Sequence, residues 1–576
     1  MKVIQFEEEQ CKSCYKCVRN CAIKAIEVRN GKAQILEDQC ILCGHCLDVC
    51  PQSAKKFMSD LDKVKEYIRN QEHVVASLAP SYMVALNHSH PGQVVTALKK
   101  LGFTQVRETA EAATYVTDAY AKLMREGSME NIITTCCPSA NELVEIYHPE
   151  LVPQLAPVMS PMIAHGKLLH EELGENIRVV FIGPCIAKKK EAEFDARIGG
   201  CVDAVIDFVE LESWLNEEGI DMQSCEPSRM NNRNPQINRL YPVTGGILKA
   251  VEAAAKNHNY KTLSVHGVDE CISLLKTIEK GELNHYLIEM NICRGGCIEG
   301  PAIAERNHSR FLKKQMMMDM LEAETSQPKD FPDKPDGYFT RVFEDRSVAA
   351  AEPSEEEIRE ILRKIGKNSP EDELNCMACG YTSCRDKAIA VYQGKAELTM
   401  CMPYMQEQAR SMARTIMDKS PDAILAVDRD MHIAEFSAAA ENCFGISRHD
   451  AQKRMLSSII DDSDFRQVYQ SHENIYRKKV YYPQYELYFI QDIIYMEEQD
   501  SVLGMFQNIT ASEIQKKEQY IRKVETIEMA QAVIDKQMMV AHQIASLLGE
   551  TTAETKVSLT KLRKMILSDQ EELEQS

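Results

Sequence analysis

The chain is short of positive charge: 67 lysines and arginines stand against 87 aspartates and glutamates, a net charge of -20 at pH 7. No basic stripe interrupts that excess, which argues against nucleic acid or an anionic membrane as a main partner. Long hydrophobic runs are missing as well. No stretch of about 18 apolar residues occurs, so no membrane-spanning helix is expected, and the opening Met1 to Glu9 has none of the apolar core of a secretory signal. A cytoplasmic protein is the expectation. In that compartment the 21 cysteines are reduced thiols, which makes disulfides the weak reading and metal ligation the strong one. At 576 residues the chain has room for roughly four domains of about 150 residues each.

The cysteines fall into groups. Residues 1–58 carry Cys11, Cys14, Cys17 and Cys21, then Cys40, Cys43, Cys46 and Cys50 followed by Pro51. A zinc ribbon needs two pairs held farther apart and has no use for eight evenly spaced thiols. The repeated spacing resembles a bacterial two-cluster ferredoxin, in which the fourth cysteine of each run ligates the other cluster. That resemblance implies Cys11, Cys14, Cys17 and Cys50 around one [4Fe-4S] cluster and Cys40, Cys43, Cys46 and Cys21 around the second. Ala22 stands where the family usually has proline, a position that shapes the backbone and supplies no ligand.

From Asp60 onward helical and apolar strand-like runs alternate, the signature of an α/β core. Val74 to Pro80 and Arg178 to Gly183 read as buried strands, and Val94 to Leu101 and Glu111 to Arg125 as helices. In such cores site residues collect on loops after strands. Cys137 and Cys185 both follow apolar runs, and Cys293 and Cys297 flank Gly295-Gly296, where the backbone can fold tightly around a large sulfur-bound group.

Thr135-Cys136-Cys137-Pro138, Gly183-Pro184-Cys185 with Lys188 and Glu191, and Cys293 to Cys297 together resemble the three active-site signatures of the [FeFe]-hydrogenases, the C-terminal domain of the iron-only hydrogenase large subunit. The resemblance covers about residues 70–312 and includes Ser160-Pro161 and Thr244-Gly245-Gly246. It implies an H-cluster: a [4Fe-4S] cubane joined through a shared cysteine to a diiron unit carrying CO, cyanide and a dithiolate. Cys137, Cys185, Cys293 and Cys297 are then the ligands, Cys297 being the shared one. Cys136 is the implied proton-relaying thiol, Lys188 the lysine at the diiron ligand sphere, and Glu191 a glutamate pairing within the motif. Lysines 188–190 also supply the cations that a set of converging thiolates wants; read blandly, they begin a solvated helix.

Departures from the family bear on function. Twenty residues after Cys136 stands Ala156, where turnover enzymes carry a serine of the proton path, and twenty before it Val116, where they carry a glutamate; Asp118 is near enough in sequence to substitute. An alanine passes no proton, so turnover should slow by orders of magnitude unless water bridges the gap. Gly183 replaces a methionine, and Glu299-Gly300-Pro301 a glycine-rich continuation, which alters the wall around the diiron unit.

A Pro/Asp/Lys-rich stretch within 326–353 reads as a linker. Ser354 and Glu357 then form a capping box ahead of Ile358, Ile361, Leu362 and Ile365. Cys376, Cys379, Cys384 and Cys401 follow and resemble a small [4Fe-4S] domain, with zinc as the alternative for four thiolates. Residues of about 410–512 carry no metal motif; strand-turn-strand at Pro421 to Ser437, a short helix to Gly445 and strand-like runs at Tyr482 to Ile490 and Ser501 to Thr510 resemble a PAS sensory domain. His432 and Cys443 there read as satisfied core or surface residues, with ligation as the alternative. Beyond Thr510 the chain turns helical, and Tyr520, Ile527, Ile534, Ala541 and Leu548 repeat every seven residues with Val524, Met538 and Ala545 between them, which suggests a coiled-coil seam and a homodimer; a single amphipathic helix is the alternative.

The expected fold class is multidomain α/β and α+β: a two-cluster ferredoxin fold at 1–58, an α/β H-cluster domain at 59–325, a linker at 326–353, a small [4Fe-4S] domain at 354–408, a PAS domain at 409–512 and a helical signalling segment at 513–576. Three [4Fe-4S] clusters lie outside the active site in this reading. Three functions compete: an H2 sensor that relays redox state through the clusters to the PAS domain, a ferredoxin-linked hydrogenase, and an electron carrier or scaffold lacking the diiron unit. The sensor is favoured, with slow turnover. H2, a ferredoxin-like or other redox partner, a kinase or phosphatase and maturation proteins are its expected partners.

Overall fold

The computed structural model describes residues 3–193, 195, 197, 200–233, 235–303, 308–322, 331–349, 351–545, 557, 560 and 561. Two compact units emerge, Met1–Met405 and Gln406–Ser576.

In the first unit, β1 (Ile4–Phe6) pairs with β4 (Lys55–Phe57), and β2 (Ile26–Arg29) forms a hairpin with β3 (Lys32–Ile35). The core is a four-stranded parallel sheet in the order β6 (Gln105–Glu108), β5 (His73–Leu78), β8 (Ile177–Gly183), β9 (Ala204–Asp207). Val74, Val75, Ala76 and Leu78 are fully buried, the near-continuous apolar run expected of a parallel strand covered on both faces. A second parallel sheet runs β10 (Lys261–His266), β11 (Tyr286–Asn291), β7 (Ile132–Ile133). The expected helices form as Pro91–Leu101 and Ala110–Glu126; the first has proline at its first turn, a His90–Gln93 capping box and Gly102 beyond its end at φ 108°.

The segment expected as a linker has no regular structure in its described part, yet it packs. Tyr115 and Phe331 rings meet edge-on at 5.7 Å, Met159 N–H donates to the Phe339 carbonyl at 2.8 Å, and Arg346 N–H donates to that of Glu145 at 2.9 Å. Helix Glu355–Lys364 carries the Ser354–Glu357 capping box and buries Ile358 and Leu362 against helix Cys384–Tyr392 and Cys401. Tyr381, Ala390 and Met400 pack with Cys17, Val18 and Ile26, so this small domain docks on the ferredoxin-like one.

In the second unit, β12 (Ala423–Val427), β13 (Ile433–Phe436), β14 (Ile475–Tyr482), β15 (Leu487–Met496) and β16 (Ser501–Asn508) form one antiparallel sheet in the order β13-β12-β16-β15-β14. Phe436, Phe444, Phe465, Phe489 and Phe506 fill its core. Ser437 caps the helix Ala438–Phe444, which ends at Gly445 with φ 67°. Helix Thr510–Ala545 leaves the sheet, tied at its start by Glu513–Lys479 and by Lys517 Nζ donating to Tyr488 Oη. The heptad residue Leu548 lies outside the described residues.

Candidate functional site

The C-terminal ends of both parallel sheets face one cavity of about 100 Å³, several times what a single water needs. Ala79, Thr109 and Cys185 enter from beyond β5, β6 and β8; Cys136, Cys137 and Cys293 enter from beyond β7 and β11. Cys137 precedes the helix Pro138–Tyr147 as its N-cap, and Cys297 begins the tight turn Cys297–Glu299. All four expected ligands therefore line one cavity, with Cys136 and Lys188 in its wall.

Glycine is required at Gly296. Its φ is 88°, and a Cβ there would stand 2.4 Å from the Pro242 carbonyl oxygen, because Val243 bridges to Gly296. Glu289, wholly buried at the β11 end of this loop, accepts hydrogen bonds from the Gly245 and Ile247 N–H groups at 2.7 and 3.0 Å. It thereby anchors the Thr244-Gly245-Gly246 turn beside Cys297.

Burial dominates the electrostatics. It pushes the Cys136 thiol up to about 12 and Cys185 to about 11, and raises Cys137, Cys293 and Cys297, against the pull of the Lys188 ammonium on Cys136 and Cys185. Neighbouring cysteines add to the rise at Cys185 and Cys293. Such thiols stay protonated until a metal displaces the proton. Lys188 Nζ donates to the Cys136 carbonyl at 3.2 Å and pairs with Glu191 at 2.6 Å. The Glu191 carboxylate also accepts from Ser160 Oγ at 3.0 Å and pairs with Arg341 at 2.5 Å. Arg341 was not a candidate in the sequence, since it stands in the irregular segment and no motif marks it.

Cys136 Sγ lies 3.3 Å from Tyr120 Oη. Around them Val116 and Ala156 are fully buried in one cluster with Tyr120 and Tyr241, whose Oη lies 2.8 Å from Thr117 Oγ1, while Asp118 is exposed. Asp118 thus does not stand in for the missing carboxylate inside the wall. The space above Gly183 is taken by Phe181, whose ring carbon would be 2.7 Å from a Cβ at that position, and Phe181 lines the cavity.

Cys21, Cys40, Cys43 and Cys46 line a second cavity, whose wall also includes Cys293. Cys43 reaches the first cavity too, and Gly44 packs against Pro301. Burial raises the Cys40 and Cys43 thiols to about 12 and about 11. Of the other expected set, Cys17 is buried with Lys55 Nζ at 3.4 Å from its Sγ, Cys11 and Cys50 are half-buried, and Cys14 is exposed. Cys376, Cys379, Cys384 and Cys401 line a pocket with Lys387. Burial pulls the Lys387 ammonium down to about 8, opposed by Cys379 and Cys401. Among the described residues no three of His, Cys, Asp and Glu gather closely enough to hold a single metal ion. Thiols as donors with cations nearby are chemistry that suits iron-sulfur groups, and the two larger cavities have room for a polyatomic group. The buried Ser81 Oγ, without a hydrogen-bond partner among the described residues, belongs to the first cavity's wall.

Comparison with known proteins places names on these regions. The iron only hydrogenase large subunit, C-terminal domain matches residues 72–301. A 4Fe-4S dicluster domain matches 3–51, an Fe-S cluster family 372–403 and the PAS fold 411–479. Iron hydrogenase 1 of Clostridium pasteurianum is 25% identical over 376 residues, 52% of this chain and 64% of its own. The NADP-reducing hydrogenase subunit HndD of Solidesulfovibrio fructosivorans is 25% identical over 51% of this chain and 63% of its own. The periplasmic [Fe] hydrogenase large subunit of Nitratidesulfovibrio vulgaris is 24% identical, over 52% and 85%. The chain thus spans less than two thirds of the length of the first two. Among the described residues no helix is long and apolar enough to cross a membrane.

Proposed function

We propose, from the premise that this chain is a PAS-containing [FeFe]-hydrogenase-like iron-sulfur protein, that it senses H2 at an H-cluster and relays redox state through [4Fe-4S] clusters to its PAS domain. One observation carries the reading: Val116 and Ala156, in the cluster that Cys136 packs against, are fully buried aliphatic side chains that cannot carry a proton. Fast turnover needs groups within hydrogen-bond reach along the whole proton route. Here Cys136 has Tyr120, and the two positions beyond have nothing that titrates.

When bound, the H-cluster supplies the reversible chemistry of H2 with two protons and two electrons. Cys137, Cys185, Cys293 and Cys297 would hold it. Lys188, fixed by Glu191 and the Cys136 carbonyl, keeps a cation at the cavity wall. Phe181, Pro184, Pro242 and Ile292 exclude water from it. Cys11, Cys14, Cys17 and Cys50, Cys21, Cys40, Cys43 and Cys46, and Cys376, Cys379, Cys384 and Cys401 would hold three further clusters. H2, a redox partner, maturation proteins and a kinase or phosphatase reading the PAS output complete the proposal, with a homodimer as the working form.

Infrared spectroscopy of the anaerobically matured protein, under nitrogen and then H2, tests it. Bands of metal-bound CO and cyanide that shift with H2, together with turnover far below about 10³ per second, are expected. Turnover at that rate means an enzyme, for which the retained Cys136 speaks; absence of the bands means a scaffold.

A further inference from the structure

Helix Cys384–Tyr392 places Lys387 one turn on from Cys384, on the same face. The side chain is 1% exposed and lines the pocket of Cys376, Cys379, Cys384 and Cys401. Its Nζ donates to the Glu397 carbonyl. The Glu397 carboxylate is turned away, accepting from the Asn30 and Gly31 N–H groups at 2.5 and 3.1 Å. Among the described residues Lys387 pairs with no carboxylate.

A buried ammonium without an anion costs several kcal/mol. Apart from the Glu397 carboxylate, which acts on it through space, the groups that can supply the anion are the four thiols of its own pocket once they are ionised around a metal group. The same arrangement recurs in this unit. Lys55, 4% exposed, faces Cys17 Sγ at 3.4 Å. Lys24 donates to the Gly380 carbonyl at 2.7 Å, at the seam that brings Val18 against Gly380. Neither is matched by a carboxylate among the described ion pairs. A buried lysine thus stands beside Cys17 and another in the pocket of Cys376, Cys379, Cys384 and Cys401, and the more deeply buried is Lys387.

We propose that Lys387 is a positioning cation that raises the reduction potential of the [4Fe-4S] cluster held by Cys376, Cys379, Cys384 and Cys401. A fixed positive charge stabilises the reduced, more negative member of a one-electron couple. No bond forms or breaks; one electron from the reductant is held more tightly. This deepens the proposed sensing and rests on the reading that these four thiols hold an iron-sulfur cluster. It puts the preferred resting place of an electron in the domain that precedes the PAS region in the chain.

The test is a dithionite titration of the full-length, cluster-reconstituted protein without H2, followed by electron paramagnetic resonance and iron analysis. Wild type, Lys387→Gln and Lys387→Arg are compared. In the Gln variant the reduced-to-oxidised ratio of one cluster at its former midpoint is expected to fall about tenfold, equivalent to 59 mV for one electron, and the Arg variant to stay near wild type. Iron lost from the Gln variant but kept in the Arg variant also supports the charge role. Unchanged midpoints in Gln, equal shifts in Gln and Arg, or iron lost from both overturn it. Zinc in place of iron at this site of the wild type overturns it too. None of these outcomes bears on H2 binding, so failure here is distinguishable from failure of the sensing proposal.

Discussion

Each oxygen of the Glu191 carboxylate has its own cation, Lys188 on one side and Arg341 on the other. Arg341 also pairs with Asp195 at 2.6 Å, and both acids keep a second partner, Lys188 and Arg197. Losing the guanidinium therefore strips half of each pair. Arg341→Gln is expected to cost about 3 kcal/mol, the low end for a broken buried pair, read as a lower denaturation midpoint of the metal-free protein. At the two buried aliphatic positions, Ala156→Ser with Val116→Glu should raise turnover of the matured protein. The buried glutamate should also cost about 3 kcal/mol. No rise in turnover would sink the explanation by missing proton links.

The loop from β11 to Cys297 is set by backbone more than by side chains. Gly296→Ala places a Cβ 2.4 Å from the Pro242 carbonyl at a φ of 88°, so the turn must move and Cys293 and Cys297 with it. Iron content after reconstitution should fall. Gly219→Ala is the contrast: its φ of 67° is also left-handed but its surroundings are open, and a cost of about 1 kcal/mol with full iron is expected. Elements also differ in how openly the sequence declares them. The capping box at Ser354 and the apolar runs of β5 and β8 are legible because local chemistry and burial agree. Strand β14 is not, since Arg477, Lys478 and Lys479 face solvent there and break the apolar alternation.

Across the molecule, buried thiols make the metal-free protein alkali-sensitive. Cys43 and Cys185 are raised to about 11 and Cys40 and Cys136 to about 12, from an ordinary value of 9.0. A raised folded-state value means the neutral thiol is the form the fold keeps. That stabilisation is whole below about pH 9 and is lost as pH climbs towards 11 to 12. Urea midpoints of the metal-free protein should fall between pH 8 and 10. The loaded protein should change less, its ligand thiols having already given up their protons. At the same scale, helix Thr510–Ala545 exposes Ile514, Ile521, Met529, Val533 and Val540. Removing residues 513–576 is expected to turn a dimer into a monomer in sedimentation.

By itself the sequence determined the order of domains and the spacing of the cysteines within each run, because spacing is a local property of a turn and apolar periodicity a local property of a strand. Cys137, Cys185, Cys293 and Cys297 could be grouped only through likeness to a family, since nothing along the chain brings 137 near 297. The tertiary structure decided that the ends of two separate sheets put all four on one cavity. It also decided that Arg341, from an irregular segment, completes the Lys188–Glu191 pair, and that Lys387 is buried among thiols with no ion pair among the described residues. Charge pairing and burial depend on distances between residues remote in sequence, and those distances exist only once the chain has packed.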